Sequence, residues 1–347
     1  MISSEFKSVT LPKICDQIQE ILSSFLTRNI LIGFKGPTLL DIDKESTQQE
    51  IKIYDAGSSN DRRIIDIDAI SQDRGLLSPT MVKDVFQSLQ LCELKKIRPR
   101  IDYMKKVQKH INPRTREYCV DFLIYVAYQL DFHHDTLYCA VNYLDRYLSG
   151  NEVDRRNLWL VGIACLIIAS KYEEVNVPDL KTYSCFTEYV FSSKDFIRME
   201  HSILSYLKYE VTTPTTWSFL TRFVQAAQCE NEGALVNLEY MASWFAELSL
   251  LSYNMLWFLP SLVAASSIFL AKYILSPSER PWNGTLQHYT LYEPSDLHDC
   301  VLALYEFYRE NRSSDITDTI RMKYNVEVDV RESCPPQIPS EYFHNLN

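Results

Sequence analysis

The stretch Leu158–Tyr172 constrains the fold more than any other part of the sequence. At helical spacing, Leu158, Val161, Gly162, Cys165, Ile168, Ala169 and Tyr172 form one stripe, while Leu160, Ile163 and Ile167 cover other faces. A helix with no polar face must be surrounded by other elements. Gly162, Ala164 and Ala169 are small enough to let neighbouring helices approach closely. The flanking sequence supplies those neighbours. Met104, Val107 and Ile111 have the spacing of a short amphipathic helix, and Cys119, Leu123, Val126 and Leu130 that of a longer one. Asp135 opens a further helix through Tyr138, Val141, Leu144, Asp145 and Leu148, with Gly150 as its expected cap. Pro178 marks a short helix. Ser192 and Asp195 have capping-box spacing ahead of Phe196, Met199, Ile203, Leu204 and Leu207. Counting from Cys119, this gives five helices with the apolar one in the middle.

After Thr213-Pro214 the pattern starts again. Helical stretches run near 215–229, 234–252, 260–275 and 295–310, with a shorter one around 284–291. Ile-Ile-Ala-Ser-Lys-Tyr at 167–172 is echoed by Phe-Leu-Ala-Lys-Tyr at 269–273, about 100 residues later. A repeat of that period points to a duplicated helical unit. Leu248–Ala271 carries no charge, but Asn254, five serines and a central Pro260 break it into two buried helices joined near Trp257–Pro260. The expected fold class is all-α: two tandem five-helix lobes preceded by an N-terminal helix. That helix starts at Ser78-Pro79 and carries Val82, Val85, Phe86 and Leu89 on one stripe. The expected division is an N-terminal arm over 1–78, partly disordered; a first lobe with its preceding helix over 79–211; a second lobe over 212–315; and a tail over 316–347.

Composition narrows the chemistry. Only 8 glycines occur, and no Gly-x-Gly or Gly-x-x-x-x-Gly-Lys phosphate loop is present. The formal net charge of −10 argues against a nucleic-acid partner. The nine cysteines include no Cys-x-x-Cys pair and read as reduced thiols of an intracellular protein. No His-Glu-x-x-His occurs, and the adjacent His133-His134 point different ways on a helix, so no metal and no cofactor is expected. Glu173-Glu174 beside Lys171 read as solvated or contact-making charges, not as an acid/base pair. The chain is not expected to be an enzyme. The basic run Lys95, Lys96, Arg98 and Arg100 fits a nuclear import signal or a solvated helix flank.

The sequence also resembles a known family. Asn142-Tyr-Leu-Asp-Arg-Tyr-Leu-Ser149 and Ala169-Ser-Lys-Tyr-Glu-Glu174 are similar to the two most characteristic runs of the cyclin box. Arg116, Asp145, Leu160, Lys171 and Glu200 match its five defining positions in order. Tyr103-Met-Lys-Lys-Val-Gln108, Arg280-Pro-Trp-Asn283, His288–Leu297 and Cys334–Phe343 resemble segments of plant A-type cyclins, of which this chain would be a divergent member. The resemblance covers residue 80 to the end.

It implies a regulatory subunit of cell-cycle control that binds and activates a cyclin-dependent serine/threonine protein kinase. A nuclear location is implied, with the cytoplasm as a second, and no membrane partner. Lys171 and Glu200 would bond the kinase backbone, since lysine only donates and ionised glutamate only accepts. Ile168, Tyr172, Glu173 and Leu204 would line the same contact. An internal Lys171–Glu200 pair bracing two helices is the competing reading. Arg116 and Asp145 would form an internal ion pair between the first two box helices. The N-terminal helix would pack beside the box, as a kinase contact or as a cap on the core. Alternatives to the kinase activator are a cyclin-like scaffold that no longer activates a kinase and a two-box transcription-factor-type adaptor.

One family feature is altered. A-type cyclins carry a docking patch for substrates with a basic-x-Leu motif. The corresponding positions here are Thr115, Tyr118, Cys119, Phe122 and Tyr125 on the first box helix, with Leu158 and Trp159 on the third. Tyr125 replaces the acidic residue that would meet the motif's basic side chain, and tyrosine is uncharged near neutral pH. The expectation is weak docking of such substrates, docking of different ones, or a decayed patch. Arg28-x-x-Leu31 fits the core of a destruction motif but is too short to be specific.

Overall fold

The computed structural model describes residues 53–54, 64–67, 79–94, 98–228, 235–312, 314–324 and 337–344. Among them the chain is helical apart from a two-residue antiparallel pairing of β1 (Ile53–Tyr54) with β2 (Ile64–Ile65). Helix α1 (Pro79–Glu93) and the single turn α2 (Tyr103–Lys106) precede the first lobe. That lobe comprises α3 (Pro113–Gln129), α4 (His134–Leu148), α5 (Arg155–Glu173), α6 (Leu180–Phe186) and α7 (Ser193–Tyr206). The second repeats the count with α8 (Thr216–Gln228), α9 (Leu235–Leu251), α10 (Pro260–Leu275), α11 (Gly284–Thr290) and α12 (Pro294–Asn311). A short α13 (Asp318–Lys323) follows. The expected break of the uncharged stretch is present: a 3₁₀ turn, Tyr253–Trp257, joins α9 to α10.

Local chemistry sets the helix starts. Asn112, Asp154, Asp179 and Asn283 each accept a backbone N–H of the first turn, and prolines open α3, α10 and α12. Ser192 and Asp195 make both bonds of the capping box that starts α7. The central helix is α5, buried from Leu160 through Ser170. A β-carbon at Gly162 would lie 2.9 Å from Cys119 Sγ, so the glycine permits the close approach of α3 to α5. Gly150 serves differently from expectation. Ser149 caps α4, and Gly150 leaves room for the ring of Tyr206, which a β-carbon there would strike.

Three segments sit where periodicity alone did not put them. Helix α1 rests on the second lobe: Phe86 meets Phe219 and Phe223 of α8 edge-on, each at 5.6 Å, and Glu93 accepts from Ser261 at the start of α10. Of the arm, Ile65 and Ile67 are buried, and their N–H groups donate to Thr285 Oγ1 and Tyr289 Oη near α11. Apart from residues 53–54 and 64–67, the arm, with Arg28 and Leu31, lies outside the described residues, as do Lys95 and Lys96. The tail folds back: α13 packs on α3, and Phe343 stacks on Phe269 at 5.1 Å.

Arg116 of α3 and Asp145 of α4 form a bidentate pair, Nε to Oδ1 at 2.7 Å and Nη2 to Oδ2 at 2.6 Å, with both side chains 1% exposed. The pair reaches further than the first two helices of the lobe. Arg116 Nη1 donates to the carbonyls of Leu250 and Leu251, which end α9 in the second lobe. Tyr103 of α2 donates to Asp145 Oδ1 at 2.8 Å. Burial alone pushes the guanidinium pKa down, and the Asp145 carboxylate more than reverses it, so Arg116 stays charged. Arg116→Ala strands a buried carboxylate and two carbonyls and is expected to lower unfolding free energy by about 3–5 kcal/mol in urea titration. A loss below about 1 kcal/mol would contradict this role.

Asp121 of α3 faces α13. Its Oδ1 is buried with no hydrogen-bond partner among the described residues. Burial raises its pKa to about 7; Thr319 and Arg321 pull it down and Asp315 pushes it up. A carboxyl with a raised native pKa contributes stability that is full below its ordinary 3.8 and lost as pH rises through about 7. The thermal midpoint of Asp121→Asn should therefore gain on the wild type as pH rises from about 4 to about 7. A pH-independent difference would contradict the assignment.

Candidate functional site

Helix α5 leaves the core at its last turn. Ser170 is fully buried, and Lys171, Tyr172 and Glu173 are exposed. Lys171 Nζ lies 2.5 Å from Glu200 Oε1 on α7, with side-chain exposures of 48% and 14%. The capping box fixes where α7 begins and so where Glu200 falls. An ion pair this exposed holds by about 0–1 kcal/mol. It positions both groups while leaving them free to exchange partners.

Exposed apolar residues flank the pair along the chain. Val175 is 96% exposed and Val177 is also exposed, directly after α5. Tyr189, 71% exposed, and Val190 stand just before α7, and Ile197 is one turn ahead of Glu200. Glu188 and Tyr189 adopt left-handed backbone, φ 50° and 58°. Each such residue costs about 1–2 kcal/mol, and the turn presents the Tyr189 ring to solvent. Isolated exposed apolar residues are ordinary, but five of them in the segments that carry one charged pair mark a candidate contact surface. Helical periodicity missed these five residues because four of them lie in loops. Their signal was an unusual one: valines and a tyrosine in polar, turn-forming segments.

Of the residues expected here, Tyr172 and Glu173 are on the surface and Leu204, one turn after Glu200, is half-buried. Tyr172 Oη shares a hydrogen bond with Thr212 Oγ1 at 2.8 Å. Burial raises the Glu173 pKa, and Cys139 Sγ lies 3.9 Å from its Oε1. Ile168 is a correction: it is 4% exposed and belongs to the core, because the stripe that carries it faces inward until the last turn. Glu174 ties α5 to the start of α4, accepting from His133 N–H at 2.7 Å and Thr136 Oγ1 at 2.5 Å.

The altered docking patch is narrower than expected. Cys119 and Leu158 have no exposed surface; Cys119 Sγ points at the Leu158 carbonyl, 3.7 Å away, in the tight α3–α5 contact. Burial pushes the Cys119 thiol up to about 12, so it is unreactive. Thr115 bonds the Asn112 cap, and Tyr118 lies under the Arg114 guanidinium at 5.1 Å. Half-buried Phe122 meets Trp159 edge-on at 5.4 Å, and Tyr125 meets Phe186 at 6.4 Å. The remaining surface is aromatic. Among the described residues no cluster of His, Cys, Asp or Glu has metal-binding geometry, and no helix is long and apolar enough to cross a membrane.

Comparison with known proteins agrees with this architecture. Residues 84–212 match the cyclin N-terminal domain and residues 214–336 the cyclin C-terminal domain. The chain is 45% identical over 285 residues to Cyclin-A1-2 of Oryza sativa subsp. japonica, covering 82% of this chain and 59% of that one. It is 44% identical over 296 residues to Cyclin-A1-1 of Arabidopsis thaliana, covering 84% and 64% respectively. It is 41% identical to Cyclin-A1-4 of Oryza sativa subsp. japonica, covering 81% and 79%. The chain thus spans less than two thirds of the length of the first two. The X-ray structure of a viral cyclin from herpesvirus saimiri matches with a TM-score of 0.55 at 19% identity, over 70% of this chain and 97% of that one, which shows a shared fold. With both cyclin domains in tandem and this identity to plant A1-type cyclins, the chain belongs to the cyclin family.

Proposed function

We propose that this cyclin is the regulatory subunit of a cyclin-dependent serine/threonine protein kinase, binding and activating it in cell-cycle control, with no catalysis of its own. The observation that carries the reading is the exposed Lys171–Glu200 pair, in segments that also expose Tyr172, Val175, Val177, Tyr189 and Ile197. The pair is held weakly enough to be exchanged. On contact, Lys171 donates to a kinase carbonyl and Glu200 accepts a kinase N–H, each a charge-assisted bond. The apolar surround seats the kinase's mobile helix and excludes water from those bonds. A kinase is active when the glutamate of that helix pairs with its catalytic lysine. Binding selects that arrangement by contacting it and not the displaced one. Arg116 and Asp145 act through folding, not through contact.

A nuclear location fits this role. The net charge of −10 gives no support to a nucleic-acid partner. Substrates reach the complex through a surface in which the aromatic pairs Phe122–Trp159 and Tyr125–Phe186 replace a charged contact, so this cyclin takes basic-x-Leu substrates poorly.

Two measurements test these readings. Wild-type protein mixed with a purified cyclin-dependent kinase should raise its activity, and Lys171→Ala/Glu200→Ala should weaken kinase binding by about 3 kcal/mol, roughly a hundredfold, with the unfolding curve unchanged. Failure of the wild type to activate several such kinases would favour a cyclin-like scaffold. A basic-x-Leu peptide should bind at least about tenfold more tightly to Tyr125→Glu than to the wild type. Equal affinity would remove charge loss as the explanation.

A further inference from the structure

A second surface lies at the seam between the lobes. A cavity of about 360 Å³ opens between the end of α3 and the start of α4 on one side, and α8, α9 and α13 on the other. Its walls are aromatic. Tyr128 and Phe132 come from the first lobe, Trp217 and Tyr240 from the second, and Tyr324 follows α13. Tyr128 and Tyr240 are exposed and form its rim. The rings hold one another in place: Tyr240 meets Tyr324 edge-on at 5.2 Å, and Trp217 stacks on His134 at 3.8 Å.

The charges around these rings are mostly negative. Asp131 and Glu239 line the cavity, are exposed, and make no ion pair among the described residues. Beneath them, Glu247 is fully buried. Its Oε1 accepts from Tyr324 Oη at 2.8 Å, meets His134 Nδ1 at 3.0 Å and is bonded by Lys323. Its Oε2 is buried with no partner among the described residues. The basic groups facing the cavity are Lys323 and His134, and both are already engaged with Glu247. Lys323 Nζ also lies 5.4 Å over the Tyr324 ring. The floor therefore holds an internal cation by carboxylate and π-face together, and the rim repeats those two elements in Asp131, Glu239, Tyr128 and Tyr240. Electron-rich ring faces beside carboxylates attract a cation and repel phosphate.

We propose that this seam is a docking pocket for an arginine side chain presented by a partner polypeptide. Arginine fits better than lysine. Its planar guanidinium is weakly hydrated, stacks on Trp or Tyr, and carries five donors suited to carboxylates such as Asp131 and Glu239. The pocket is separate from the Lys171–Glu200 pair, so it can be tested without a kinase.

The test uses the full chain with nitrogen-labelled tryptophan. The Trp217 indole signal is assigned by its absence in Trp217→Phe. The probe is a capped Ser-Gly-Arg-Gly-Ser peptide; its citrulline and phosphoserine counterparts and spermidine are the other arms. The arginine peptide should shift the Trp217 signal saturably, and the neutral citrulline peptide should bind at least about tenfold more weakly. Asp131→Asn/Glu239→Gln, both at exposed positions, should weaken the arginine peptide by about tenfold and leave thermal unfolding unchanged. Equal binding of arginine and citrulline peptides, no saturable shift, or tighter binding of the phosphoserine peptide would overturn the proposal. Tighter binding of spermidine than of the peptide would make the ligand a free polyamine and overturn it as well.

Discussion

Arg116 and Asp145 are removed from water together, and the position of several elements follows from the way their remaining hydrogen-bonding capacity is used. The carboxylate takes two guanidinium bonds and the Tyr103 hydroxyl, which fixes α2. The guanidinium's remaining arm ends on the carbonyls of Leu250 and Leu251. Those carbonyls belong to the last turn of α9, where a helix lacks internal donors. A positive charge at that end also suits the helix dipole. One ion pair thus links α2, and α3 and α4 of the first lobe, to α9 of the second. Neighbouring bonds reinforce the same junction. Arg98 donates to the carbonyls of Leu256 and Phe258, and Tyr253 Oη donates to the Ile101 carbonyl.

The functional face depends on this interior in a simple way. Helix α5 is enclosed on all sides from Leu160 to Ser170, and its last turn emerges. What emerges is Lys171, next to a glutamate whose helix start is fixed by a capping box. The backbone under the charged pair is thus set by the fold, while the segment before α7 holds Glu188 and Tyr189 in left-handed backbone. Exposed valines such as Val175 and Val177 have little packing role in the free chain. They gain one when a partner covers them.

The helices were legible in the sequence because burial imposes a period, and caps and prolines mark where the period stops. The capping box at Ser192–Asp195 and the break at Pro260 were read on that basis. Long-range contacts were not legible in this way. Nothing in the sequence near Arg116 indicates that two backbone carbonyls 134 and 135 residues later will accept from it. Phe86 sits on a regular stripe, but a stripe does not say which lobe it faces. Ile168 lies beside the charged residues in sequence and yet belongs to the core. Cys119 and Leu158 correspond to family surface positions, yet the small Gly162 lets α3 close on α5 and buries both. The pocket at the lobe seam draws residues from four separated segments, and no local pattern signals such a convergence.

In the proposed complex, the emerging end of α5 and the neighbouring part of α7 form the surface that meets the kinase. Amide hydrogen exchange, measured on the chain alone and in complex with a cyclin-dependent kinase, tests that claim directly. The prediction is slowed exchange across residues 171–177 and 188–206 on complex formation, with the amides of the buried part of α5 protected equally in both states. Unchanged exchange across those two segments, with protection instead on α3 or at the lobe seam, would contradict it.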